Sequence, residues 1–391
     1  MTSNMTRRRF VRTLMQGIAI APLAAHGWKA EAADSTGDIL FVGTQTLASS
    51  KGIYAYRWNS DAGDLQAMGL AAWADNPTFL ALSPDKKHLY AANEIDHFGG
   101  AKSGGVSAFS VSGDPGKLTF ISAVASEGWG TCHVTTDHTG HAAFCASYDN
   151  GSAASFQVEA SGGLSQAVSH FQYTGHGPDS DRQKGPHAHR VTVSPDNRFL
   201  LVNDLGLDCV HIYKLDAATA RLTPNTPAEW KSEPGAGPRA LRFHPNGRWA
   251  YCVEEMACAV VVLRWDAKMG SLTTVQRVSI KTDGFTGGTM TGSEIVITRD
   301  GAFAYAADRG DDTLTSFRVD PATGKLAFLG RTSCGGKVPR HIALDPTEKW
   351  LLVANQGSDD IAVIRRDSST GELAAKATNI GISKPQCLVF L

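Results

Sequence analysis

Apolar residues along this chain come in short runs of about four to six, bounded by proline, glycine, asparagine or aspartate. Runs of that length suit strands. They are too short for helices, whose apolar stripe recurs every three to four residues over several turns. One unit repeats. An opening residue, often proline, precedes an apolar strand; a Pro-Asp or Asp-Gly turn follows; a second apolar strand then ends in polar residues. Pro77–Asp85 leads in this way to Leu89–Glu94, Pro238–Gly247 to Trp249–Glu255, and Pro339–Pro346 to Trp350–Gln356. Segments such as Val210–Leu215 supply a third strand, and turns such as Asp320–Leu326 lead into a fourth.

Aligned on their turns, the units open at Pro77, Thr131, Ala188, Pro238, Gly292, Pro339 and Pro385, 46 to 57 residues apart. A period of this length with four strands per unit means propeller blades. The ends of the chain account for closure. Pro385–Leu391 is an opening strand with no blade after it, and Ile39–Thr44 is a second strand with no opening strand before it. Paired, they complete one blade and remove two exposed edges. The expected fold is all-β: a seven-bladed β-propeller of four-stranded antiparallel blades over residues 33–391, its ring closed by the N- and C-terminal strands.

Residues 1–32 stand outside this pattern. Thr6-Arg7-Arg8-Arg9-Phe10-Val11-Arg12 reads as a twin-arginine signal peptide, followed by an apolar run, Met15–Ala25, too short to span a bilayer. Ala30-Glu31-Ala32 supplies a small-residue cleavage site. The expectation is export to a bacterial periplasm, with no membrane attachment after cleavage. A formal net charge of −1 without long charge runs gives no basis for a nucleic-acid partner or an anionic membrane surface. The seven cysteines are an odd number, show no CxxC spacing and fall mostly in apolar strand patterns. They read as small buried hydrophobes and give no support to a structural zinc site. Cys252 and Cys258 are the pair whose spacing would let them bridge adjacent strands.

The densest polar stretch is Asp181–Arg190, which places two histidines, two arginines and a lysine at the mouth of a strand. In a blade the innermost strand begins at the rim where the second strand ends. One row after the opening residue is therefore Thr78, Cys132, His189, Arg239, Ser293, Arg340 and Gln386. The next is Phe79, His133, Arg190, Ala240, Glu294, His341 and Cys387. The facing second strands end at Asn93/Glu94, Ser147/Tyr148, Asp204/Leu205, Glu254/Glu255, Asp308/Arg309 and Asn355/Gln356. One rim thus gathers His189, Arg239, Glu255, Glu294, Arg309, Arg340 and His341. Convergent arginines from three blades suit a carboxylate or a developing oxyanion. His187 and His189, two apart, share a strand face and with His133 or His341 resemble zinc ligands. The crowded arginines would repel a cation, so no metal is assigned. Cys132 lies in an apolar strand and reads as a buried thiol rather than a nucleophile. No GxSxG elbow or P-loop is present.

These segments resemble the seven-bladed-propeller lactonases of the 6-phosphogluconolactonase type, whose relatives include carboxymuconate-cyclising enzymes. The resemblance covers nearly the whole of 33–391. It rests on Arg182–His189, Ser194–Phe199 with Asp204-Leu205-Gly206, Gly237-Pro238-Arg239 with Glu255, Ser293-Glu294-Ile295 with Asp308-Arg309-Gly310, and Pro339-Arg340-His341. Carried over position by position, it implies His189, Arg239 and Glu255 as a catalytic set, with Arg309 or Arg340 as a further arginine. There are two departures. Ala240 stands where the family often has histidine, and the segment from Cys132 to His138 is irregular where a proline turn is usual. The resemblance implies hydrolysis of a sugar-type lactone with Glu255 or His189 as general base, arginines on the oxyanion, and neither metal nor organic cofactor. Arg182 and Gln183 are expected to hold sugar hydroxyls, with His187, Asp204, Glu294 and His341 completing the binding wall. Export favours an unphosphorylated lactone. A carboxymuconate-type cycloisomerase and a non-catalytic sugar- or protein-binding propeller are the alternatives.

Overall fold

Second strands such as Phe199–Asp204 and Phe303–Asp308 are buried at every residue, which an antiparallel strand shows only when both its faces are covered. The covering is lateral, blade against blade. The computed structural model describes residues 38–46, 48–111 and 113–391. The expected leader and its cleavage site at Ala32 lie outside them. The described residues form seven four-stranded antiparallel sheets and one short hairpin, His97–Phe98 with Ala101–Lys102.

Blade 1 is built from both ends of the chain: Pro385–Phe390 is its innermost strand, followed outward by Asp38–Thr44, Gly52–Asn59 and Asp64–Trp73. The next six blades have the inner strands Pro77–Leu82, Thr131–Thr136, Ala188–Val193, Pro238–Phe243, Gly292–Ile297 and Pro339–Leu344. Each inner strand starts at the residue expected from the repeat. Among the described residues, seven apolar clusters lie between neighbouring blades. One packs Tyr251 and Val253 of blade 5 against Ile295, Ala306 and Phe317 of blade 6. Another packs Leu40 and Trp58 of blade 1 against Leu352 and Ile361 of blade 7. Burying such side chains contributes about 1.5–3 kcal/mol each.

A polar tie runs beside this packing. Tyr90, Tyr251 and Tyr305, each on a second strand, donate to the carbonyls of Gly162, Gly324 and Gly371 in the outer turn of the following blade, at 3.1, 2.9 and 2.8 Å. Gly324 sits there at φ +71°, and a Cβ on it would come within 2.5 Å of the Trp249 ring. No other residue type fits both the backbone and the space.

One irregularity recurs in every blade. Inner and second strands pair at the opening residue, as in Pro77 with Asn93 and Ala188 with Asp204. The register then slips before pairing resumes. This β-bulge leaves the residue after the opening without a partner and re-aims it. In a regular strand, successive side chains point to opposite faces. Here both rows turn to the axis, and His189, Arg190, Arg340 and His341 line one axial cavity. None of the described cysteines is in a disulfide, so Cys252 and Cys258 are not bridged.

Candidate active site

The bulges stack two rings of side chains along the axis. The ring nearer the rim is organised by Glu255, which follows the second strand of blade 5 and is held by its backbone N–H on Gly237 O at 2.8 Å. Three arginines from three directions meet its carboxylate. Arg182 Nη2 lies 2.5 Å from Oε1, Arg309 Nη2 lies 2.7 Å from Oε2, and Arg239 Nε lies 3.0 Å from Oε2. Burial opposes ionisation of Glu255, but Arg309, Arg239 and Arg182 outweigh it and hold the carboxyl down at about 2. Burial, with Arg340 and Arg309 as neighbours, brings Arg239 down to about 9. Arg239 also donates from Nη1 to Ser293 O.

His189 occupies the bulge of blade 4, beside this cluster. Burial first, then the charges of Arg239, Arg340 and Arg309, push its imidazole well below its ordinary value, so the ring is neutral at neutral pH. Among the described residues, none hydrogen-bonds to its ring nitrogens. Tyr148 stands edge-on to it, with centroids 5.7 Å apart, and stacks on His187 at 4.4 Å and 17°. The same Tyr148 hydroxyl accepts from Arg182 Nη2 at 3.3 Å. Cys132 is buried and its thiol pushed up by that burial; its Sγ lies 3.4 Å from His189 O. It supports the bulge and is not activated as a nucleophile.

The second ring lies deeper. Arg190 Nη1 reaches both oxygens of Glu294, at 3.0 and 2.7 Å, and Arg242 Nε lies 3.5 Å from Oε1. His341 Nε2 is 3.8 Å from the same carboxylate. Burial opposes the charge on Glu294, but Arg190 and Arg242 hold it far below the usual carboxylate range. Burial brings His341 down to about 3. Between the rings lies a cavity of about 20 Å³, room for about one water, onto which Thr78, His189, Arg239, Glu294, Arg340 and Gln386 face.

The structure brings together His189, Arg239, Glu255, Arg309, Arg340 and Arg182. It sets Glu294 and His341 one layer down rather than at the rim. Gln183 and Asp204 are placed differently from the expectation that they contact substrate. Gln183 is fully buried; its amide donates to Leu205 O and Asp208 Oδ1 at 2.8 Å and accepts from Asp179 N, so it folds the loop that presents Arg182. Asp204 is also fully buried and accepts from His187 N and Leu207 N. His187 points its Nδ1 at Tyr148 O, 2.9 Å away. Sequence reasoning passed over Tyr148 and Arg242. Tyr148 stood in the row of second-strand ends, and its aromatic type at a polar position was the signal. Arg242 lies two residues beyond Ala240, on the same strand face.

Three guanidinium groups thus hold one carboxylate, with a fourth, that of Arg340, beside a neutral imidazole. Arg340 alone among these arginines has no carboxylate within ion-pair distance among the described residues. Such a site can polarise a carbonyl, hold the oxyanion that forms and accept a proton from water.

Comparison with known proteins agrees with this fold. The family described as "Lactonase, 7-bladed beta-propeller" matches residues 39–390. A 6-phosphogluconolactonase of Bacillus subtilis is 34% identical over 351 residues, 90% of this chain and 97% of that protein. The crystal structure of a putative 6-phosphogluconolactonase from Bacteroides fragilis superimposes with a TM-score of 0.84 at 33% identity, covering 92% of this chain and 99% of the other. The periplasmic gluconolactonase of Pseudomonas aeruginosa matches with a TM-score of 0.84 at 32% identity, covering 90% and 99%.

Proposed function

We propose, from the premise that the chain belongs to the seven-bladed β-propeller lactonase family and is a lactone hydrolase, that it opens an unphosphorylated sugar-type lactone at the rim. The observation that carries this reading is the pairing of the unengaged Arg340 with the neutral His189. Water attacks the ring carbonyl with His189 as general base. Glu255 is a poor base, since its carboxyl sits at about 2 and three arginines occupy its oxygens. Its role is to fix Arg239 and Arg309. Arg340 and Arg239 take the charge that develops on the carbonyl oxygen, and then the product carboxylate. The imidazolium formed on His189, unfavourable among arginines in the resting site, is matched by that oxyanion; as the tetrahedral intermediate collapses and the ring C–O bond breaks, it returns the proton to the leaving ring oxygen. Tyr148 offers its ring to the sugar, and Arg182 the remaining N–H groups to its hydroxyls.

The specificity follows from charge already spent. Arg182, Arg239 and Arg309 are committed to Glu255, and Arg190 and Arg242 to Glu294. Among the arginines of this cluster, Arg340 alone is left without a carboxylate, which serves an oxyanion but supplies no second unpaired guanidinium for a phosphate. Export by the twin-arginine leader of residues 1–32 fits the same substrate class, and the similar Pseudomonas aeruginosa protein is described as periplasmic. The test is a panel of gluconolactone, 6-phosphogluconolactone and carboxymuconate followed by proton release. Turnover of the first, at least about tenfold above the second and lowered about 100-fold in Arg340→Ala, is expected. Carboxymuconate loss without lactone hydrolysis would replace this reading with cycloisomerisation.

A further inference from the structure

A second cluster of reactive side chains stands on blade 4, away from the axis. Cys209 and His211 are two apart on its third strand, Cys209–Asp216, and therefore share a face. Glu229 pairs with His211 from the fourth strand, and Asp204 pairs with Cys209 from the second. Register thus collects a thiol, an imidazole and two carboxylates across three neighbouring strands.

Their spacing lets them share one ion as well as hydrogen-bond to one another. Ligand atoms of Cys209, His211 and Glu229 lie within 4.8 Å of one another. Cys209 Sγ is 3.9 Å from His211 Nδ1 and 3.5 Å from Nε2, and Nδ1 is 3.7 Å from Glu229 Oε2. Around a tetrahedral zinc ion, donors bound at about 2.0 to 2.3 Å stand about 3.4 to 3.6 Å apart, so the imidazole's distances to the thiol and the carboxylate need to shorten by only a few tenths of an ångström. His211 Nε2 faces Asp204 Oδ2 at 3.6 Å. That oxygen is buried without a hydrogen-bond partner, in a residue with no exposed surface. A sealed, unsatisfied carboxylate oxygen is costly. It is accounted for if His211 uses Nδ1 as a ligand and turns Nε2–H to Asp204, the orienting carboxylate that metal-bound histidines carry.

We propose that Cys209 Sγ, His211 Nδ1 and Glu229 Oε2 bind a zinc-class divalent cation, with Asp204 as the positioning residue. A thiolate and a carboxylate offset the two positive charges, and the thiolate–imidazole pair selects a borderline-soft metal over calcium or magnesium. Lys231 takes the other oxygen of Glu229, at 3.0 Å from Oε1. Tyr173 stacks on His211 at 3.9 Å and 11°, closing one side. A pocket of about 420 Å³, bounded by Tyr173, His176, His211, Glu229 and Lys231, gives entry and leaves the fourth position to solvent. Burial, with Asp204 and Glu229 nearby, pushes the Cys209 thiol up, so the cation must displace its proton. Asp204 joins this site to the rim, because its other oxygen holds the His187 backbone.

The test uses the full chain after chelator treatment, titrated with cobalt(II) and then zinc(II). One equivalent of cobalt is expected to give a near-ultraviolet thiolate-to-metal absorption, with release of about one proton, and zinc to displace it. Cys209→Ser removes the absorption, and Glu229→Gln, at a half-exposed position, weakens cobalt binding by about tenfold or more. No thiolate absorption in the wild type, or its persistence in Cys209→Ser, overturns the assignment. Should Cys209→Ser not fold, unchanged cobalt affinity in Glu229→Gln does so instead.

Discussion

Arg239 Nε lies 3.0 Å from Glu255 Oε2, and both side chains are almost wholly buried. Removing Glu255 strands the buried Arg239 charge, which costs about 3–5 kcal/mol in buried pairs, whereas removing Arg239 takes away one of the three arginines that hold Glu255. The pair therefore holds the site's shape as well as its charge. Glu255→Gln keeps the shape and frees three guanidinium groups from their anchor. A fall in kcat of about 100-fold or more is expected, with a smaller change in KM. A variant retaining wild-type kcat would remove Glu255 from the machinery.

Arg340 carries the oxyanion in the proposed reaction and has no carboxylate to hold. Arg340→Ala should lower kcat/KM by about 100-fold while leaving urea unfolding within about 0.5 kcal/mol of wild type. Arg239→Ala, by contrast, should lose both activity and stability. Comparable destabilisation in the two variants would contradict the different roles given to them.

Activity should persist in mildly acid solution. The folded His189 titrates well below 6.5, since burial and the charges of Arg239, Arg340 and Arg309 disfavour its imidazolium. Below the ordinary value the unfolded chain binds a proton that the folded chain refuses, so stability falls as pH drops through that window. Catalysis instead needs the neutral ring, which survives there. The acid limb of kcat/KM is expected clearly below pH 6.5, and His189→Gln should lose the activity. A wild-type inflection near 6.5 would exclude this ring as the base.

Glu255 contributes to the acid stability. Its folded carboxyl is depressed from 4.5 to about 2, so its contribution is fully present above about pH 4.5 and is lost as pH falls towards about 2. At 1.36 kcal/mol per unit this amounts to about 3 kcal/mol. Urea unfolding of wild type and Glu255→Gln, compared at about pH 6 and about pH 3, should show the gap between them narrowing by about 2 kcal/mol. A constant gap would mean that the carboxylate is not held by its arginines.

The ties between blades predict a graded pair of effects. Tyr251→Phe removes one buried hydrogen bond to Gly324 O and should cost about 1 kcal/mol in denaturant unfolding. Gly324→Ala adds a Cβ against Trp249 at a backbone angle that alanine resists, and should cost more, about 2 kcal/mol. The reverse order would reject the tie as the dominant contact there.

The propeller was legible because each blade repeats one burial problem. Short apolar runs, turn residues at fixed offsets and the lone strands Ile39–Thr44 and Pro385–Leu391 point to one architecture. The convergence of His189, Arg239 and Glu255 followed from it, since strand openings and strand ends meet at one rim. Two rows of residues were legible, but not that the second lies deeper along the axis than the first. Strand alternation alone would place Arg239 and Ala240, or His189 and Arg190, on opposite faces. The bulge overrides that alternation, and no residue type marks it. The burial of Gln183 and Asp204 was hidden for a related reason: loop polar groups look alike in sequence whether they face a ligand or their own backbone. The Cys209–His211–Glu229 cluster was hidden because its members come from paired strands and make no motif along the chain.

The closing of blade 1 by Pro385–Phe390 has a consequence for how the molecule is made. The last propeller strand to leave the ribosome is the one against which Asp38–Thr44, the first, must pair. Until Pro385–Phe390 is made, Asp38–Thr44 keeps an unpaired edge and the ring stays open, while the other six blades, each built from consecutive strands, already have their full set.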